Sequence, residues 1–98
     1  MFDKRPNNLK IDYISFGNVQ TMPTGNVLQN GDTVILTFKN FEITVGNINA
    51  LPEKKYTGIV ESISKNDADI QIDELDIIRV GNTIEFIDEN VFSCIRMS

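Results

Sequence analysis

Residues 33–45 read TVILTFKNFEITV. Val34, Leu36 and Phe38 alternate with Thr33, Ile35 and Thr37. After Lys39-Asn40, Phe41, Ile43 and Val45 alternate with Glu42 and Thr44. A period of two is the repeat of a β-strand, whose successive side chains point to opposite faces. A two-residue loop at Lys39-Asn40 sets Phe38 opposite Phe41, Leu36 opposite Ile43 and Val34 opposite Val45. All six apolar side chains then share one face. A slip of one residue would turn that whole set toward water, so the register is fixed. Asn30-Gly31, just ahead of the first strand, is a strong turn signal.

The same period extends outward from this hairpin. Residues 54–63 (KKYTGIVESI) read as a strand with Gly58 inside it, and an interior glycine marks a bend or a close backbone approach. Ile70 and Ile72 alternate into another strand after a turn at Lys65-Asn66-Asp67. Gly81-Asn82 turns the chain again, Ile84 and Phe86 form a strand, Asp88-Glu89-Asn90 is a tight corner, and 91–97 is a last strand. On the amino-terminal side, 9–16 reads as a first strand, 17–26 as a loop, and 1–8 as a flexible polar arm broken by Pro6. The only helix candidate, 73–78 (DELDII), is short. The expected fold is all-β: one domain over 9–98, a small, strongly bent antiparallel barrel. It has about five core strands and an extra amino-terminal strand.

Composition narrows the functions. The 98 residues carry 14 acidic and 9 basic side chains, for a net charge of −5, which argues against a basic nucleic-acid coat and a polybasic membrane anchor. The charge is uneven: residues 1–65 hold seven basic and six acidic groups, and residues 66–98 hold two basic and eight acidic ones. There is no histidine, which removes the commonest general base and metal ligand. The single cysteine, Cys94, excludes an internal disulfide and reads as a small buried apolar residue. No apolar run is long enough for a membrane span and the first residues carry no apolar signal segment, so a cytoplasmic protein is expected. An abundance of Ile and Asn points to an AT-rich bacterial or viral genome.

No catalytic set emerges. Asp67, Asp69, Asp73, Glu74 and Asp76 invite a calcium loop. Counting from Asp67, however, Ile72 falls where that loop needs glycine and Ile78 where it needs glutamate. No metal or cofactor is expected, and an enzyme is the least favoured class. Lys54 and Tyr56, two residues apart, would share one strand face, a cation beside a ring that stacks on a base. The plainer reading, favoured about two to one, is a core tyrosine with a snorkelling lysine. Lys39, Lys65, Asn66 and Asn90 sit at turns, where Asn suits base edges and, more plainly, left-handed backbone.

The stretch 56–72 (YTGIVESISKNDADIQI) resembles the first sequence block of the Sm-like family, which includes Hfq: aromatic, x-Gly-x-apolar, bent strand, turn, alternating strand. Residues 82–95 (NTIEFIDENVFSCI) look like its second block. The likeness covers the last half of the chain, and VILTFKNFEITVGNI (34–48) offers a second register, so the family glycine is either Gly58 or Gly46. The resemblance implies a bent five-stranded barrel, a ring of roughly five to seven identical subunits joined edge to edge, and single-stranded RNA, ahead of DNA, near the pore. Lys39, Lys54, Tyr56, Lys65, Asn66 and Asn90 are the expected contacts. The acidic Asp88-Glu89 turn departs from the family's basic turn and would repel phosphate. The competing expectation is an acidic SH3-like module that binds a protein, as an inhibitor or assembly part.

Overall fold

A computed structural model describes residues 2–6, 11–15, 18–21, 28, 30–65 and 70–96. Over these residues the chain is all-β. The strands are β1 (Asp12–Ser15), β2 (Asn18–Thr21), β3 (Thr33–Phe38), β4 (Phe41–Leu51), β5 (Lys55–Lys65), β6 (Gln71–Ile72), β7 (Glu74–Leu75), β8 (Ile78–Arg79), β9 (Thr83–Ile87) and β10 (Val91–Arg96). The decisive hairpin forms in the expected register, with Val34 against Val45, Leu36 against Ile43 and Phe38 against Phe41. Val34, Leu36, Ile43 and Val45 are fully buried, and the Phe38 and Phe41 rings pack at the margin of the core. Each such aliphatic side chain contributes about 1.5–3 kcal/mol of transfer free energy. Lys39 and Asn40 both take left-handed backbone, as a tight two-residue hairpin loop requires.

Four expectations change. Residues 18–21, expected within a loop, form β2 and pair antiparallel with β1. Asn-Val-Gln-Thr carries one apolar residue, so no alternation announces it. β1 joins β10 in parallel, Asp12 beside Ser93 and Ser15 beside Arg96, so the sheet is not wholly antiparallel. Parallel neighbours need a long connection, and here the rest of the chain is that connection. The candidate helix 73–78 is instead a two-stranded ribbon, β7 against β8, turning at Asp76, whose φ of 55° no right-handed helix admits. Finally, the strand expected from Lys54 begins at Lys55, because Glu53 and Lys54 have left-handed φ values of 64° and 58°.

The main sheet runs β2-β1-β10-β3-β4-β5-β6, with β9 also paired to β5. β5 is therefore shared. Its first half, Lys55–Ile59, pairs with β9, and Ile63-Ser64 pairs with β6. Between those halves the Val60 N–H donates to the Asn82 carbonyl and the Gly81 N–H to the Val60 carbonyl. Gly81, at φ 95°, thus turns the chain from the ribbon back onto the sheet. Two register shifts interrupt the β4–β5 ladder, between Thr44 and Val45 and between Gly46 and Asn49. Such bulges increase local twist and bend a strand pair.

The path β10-β3-β4-β5-β9 is curled rather than flat. Laid flat, its outer strands would stand about 19 Å apart, four gaps of about 4.8 Å. Yet β9 and β10 are joined by the single 3-10 turn Asp88–Asn90, which at about 2 Å of rise per residue spans far less. The core lies inside this curl, where Tyr56, Val60, Ile63, Phe86, Val91 and Cys94 meet the hairpin face.

Candidate functional site

The six residues expected at a nucleic-acid site do not converge. Lys39 and Lys65 lie at one end of the β4–β5 hairpin, since Lys65 pairs with Phe41, two residues beyond Lys39. Lys54 lies at the other end, in the exposed turn Pro52–Lys54. The eleven residues of β5 separate the two ends. Asn66 falls outside the described residues. Lys39 is neutralised locally, with Nζ 2.7 Å from the Asp76 carboxylate and 5.3 Å above the Phe38 ring.

Tyr56 and Asn90 face inward. Tyr56 is 4 % exposed, its ring stacked on Phe86 at 5.7 Å and 24°. Because Lys54 is not in the strand, the cation-and-ring face expected from Lys54 and Tyr56 is not formed. Burial, with the nearby Asp88 carboxylate adding to it, raises the Tyr56 hydroxyl above its ordinary value of about 10. The folded chain therefore holds this proton to higher pH than the unfolded chain does. The resulting stability is fully present below about pH 10 and is lost as pH rises through the folded value. Urea midpoints from pH 8 to 11 are expected to fall more steeply for the wild type than for Tyr56→Phe. Parallel curves would remove this role.

Asn90, 7 % exposed, organises the corner between β9 and β10. Its Oδ1 accepts the Ile87 N–H at 3.0 Å. Its Nδ2 donates to the Phe2 and Asp3 carbonyls at 3.4 and 3.3 Å. Residues 2–6 of the arm are thereby tied to the body. The Asp3 N–H donates to Thr37 O at 2.8 Å and the Arg5 N–H to Glu89 O at 2.7 Å. The Arg5 guanidinium donates to the Asp88 and Val91 carbonyls and pairs with the Asp88 carboxylate at 3.3 Å. The acidic corner is thus partly answered from within the chain. Phe2 meets Phe38 edge to face, with ring centroids 6.3 Å apart.

Between this arm and β9 the surface is recessed. One hollow of about 330 Å³ is lined by Phe2, Lys4, Glu85, Phe86, Ile87 and Asn90. A second, of about 240 Å³, is lined by Phe2, Ile77, Ile78, Thr83, Ile84 and Glu85. Phe2 and Glu85 belong to both, so the hollows form one groove along β9. Among the described residues β9 has a single strand neighbour, β5. Its other side has no strand partner among the described residues, and of its backbone groups the Ile87 N–H is taken by Asn90; such an edge is a template for a further strand.

No protein-family model matches the chain, and no curated protein or solved structure is found similar to it. The groove is therefore read from its own chemistry. Its titratable lining side chains, among the described residues, are Lys4 and Glu85. Cys94 is buried away from it, its Sγ donating to Asp32 Oδ2 at 3.6 Å. Among the described residues no group of three His, Cys, Asp or Glu side chains is arranged around a metal position, and no helix is long and apolar enough to cross a membrane. Phe2, Arg5, Ile84 and Glu85 were not anticipated as site residues: Ile84 and Glu85 stand in the 82–95 stretch, but as ordinary strand positions, and Phe2 and Arg5 stand in no motif.

Proposed function

We propose that this chain is a non-enzymatic protein-interaction module, a partly open SH3-like barrel that takes up an extended segment of a partner as an added strand. The observation that carries this reading is the edge of β9: one strand neighbour, and beside its open side a groove floored by Ile84 and Phe86 and walled by Phe2. Main-chain hydrogen bonds would supply affinity and the groove side-chain specificity.

The Sm-like nucleic-acid ring finds less support. Its expected contacts are split between two ends and the interior, and one of the lysines is already paired with Asp76. The last strand, β10, has neighbours on both sides, β1 and β3, so a ring would have to join the remaining edges, β2, β6 and β9.

Light scattering at micromolar concentration, with a parallel titration of single-stranded RNA and DNA at several salt concentrations, tests the choice. The expected results are the mass of one chain, 11.1 kDa, and no nucleic-acid binding. A mass of five to seven chains, or salt-dependent binding of the kind phosphate contacts require, would overturn the proposal.

A further inference from the structure

We infer that the occupant of the β9 edge is an extended segment of another protein with basic and apolar residues in alternation. The inference rests on the strand-edge reading above and adds the chemistry of the partner. Along β9, Thr83, Glu85 and Ile87 lie on one face, and Ile84 and Phe86 on the other. Successive residues of an added strand would meet these two faces in turn. On the inner face its side chains would enter the groove beside Ile84, Phe86 and Phe2, so apolar residues fit there.

On the outer face Glu85 decides. Its neighbour across the ladder on β5 is Thr57, which carries no charge, and Glu85 is in none of the ion pairs of the described residues, although Lys4 lines the same hollow. Opposite charges directly across a strand pair stabilise, and β9 offers Glu85 a cross-strand place only on its open side. The surroundings have the same sign. Residues 73–89, which make the ribbon, β9 and the corner after it, carry six acidic groups and one basic one, Arg79. Arg79 is committed to Glu74 at 2.9 Å. Two more of the six are answered from elsewhere in the chain, Asp76 by Lys39 and Asp88 by Arg5, which leaves Asp73, Glu85 and Glu89 outside the ion pairs of the described residues to attract a basic segment.

The test uses the full chain and three short fluorescein-labelled peptides in which valine alternates with lysine, serine or glutamate. Anisotropy gives affinity, and amide exchange of 83–87 reports where the peptide sits. The lysine–valine peptide is expected to bind, to slow exchange in β9, to weaken as salt rises, and to bind Glu85→Lys about tenfold less tightly. Glu85 is exposed, so this variant keeps the fold, checked by its circular dichroism. If the serine or glutamate peptide protects β9 as well as the lysine peptide does, the charge inference fails while the strand-edge reading stands. If no peptide slows exchange in β9, both fail.

Discussion

Gly58→Ala is expected to remove about 3 kcal/mol of stability, whereas Gly46→Ala, twelve residues earlier on the neighbouring strand, is expected to cost less than about 1 kcal/mol. The two glycines look alike in sequence and both are buried. What a methyl group would meet separates them. At Gly58 it would stand 2.5 Å from Val45 Cγ1, 2.9 Å from Ile48 Cδ1 and 2.9 Å from the Gly46 carbonyl oxygen. Val45 and Ile48 are fully packed core residues, and the carbonyl belongs to the backbone of the adjacent strand. None of the three can withdraw without moving β4. At Gly46 the obstacle is the carboxylate end of Glu61, an exposed and flexible side chain that can swing into water. Gly58 lies at the second register shift of the β4–β5 pair, between the pairs Gly46–Ile59 and Asn49–Thr57. A loss of about 3 kcal/mol in a domain of this size corresponds to roughly 12–24 °C in melting temperature. Urea denaturation of both variants checks the order. If Gly46→Ala is the more damaging, the close approach is misplaced.

This contrast also settles, on steric grounds, which glycine the bend of the β4–β5 pair depends on. The sequence offered Gly46 and Gly58 as equals, because a glycine's neighbours across a sheet are not written beside it. The hairpin of 33–45 was legible for the opposite reason. Its partners are adjacent in sequence, and one face is buried, so the alternation records both pairing and burial. The ribbon 74–79 has no such record. Its buried face is a single cross-strand pair, Leu75 and Ile78, and Ile77 beside it is exposed, so no alternation long enough to read is left. The six expected contact residues illustrate a second limit. A lysine in a turn looks the same whether it faces water or, like Lys39, a carboxylate thirty-seven residues later. The groove was invisible because its wall, Phe2, and its floor, Ile84 and Phe86, come from opposite ends of the chain. Their meeting is held at one corner, where a single residue's side chain bonds both.

That residue is Asn90, and Asn90→Ala is expected to cost about 2–3 kcal/mol. The side chain is almost wholly buried, and one amide serves three backbone groups: the Ile87 N–H and the carbonyls of Phe2 and Asp3. Truncation strands the N–H at the end of β9 and removes the donor that holds the arm. A buried polar group left without a partner costs more than the net worth of the bond it lost. Asn90→Asp separates the two halves of the role. A carboxylate still accepts the Ile87 N–H, but it cannot donate when ionised, and it sets a negative charge against two carbonyls and beside Asp88. The turn should persist while the arm lets go. Amide exchange reads this directly. In Asn90→Asp the Ile87 amide stays slow, and the Asp3 amide, bonded to Thr37 O in the wild type, becomes fast. In Asn90→Ala both become fast. Arg5 holds the arm independently through Asp88 and Val91, so adding Arg5→Ala to Asn90→Asp should release residues 2–6 entirely and open the Phe2 side of the groove. If the Asp3 amide remains protected in that double variant, the arm is held by something other than this corner, and Phe2 is a fixed wall of the groove rather than one that Asn90 and Arg5 keep in place.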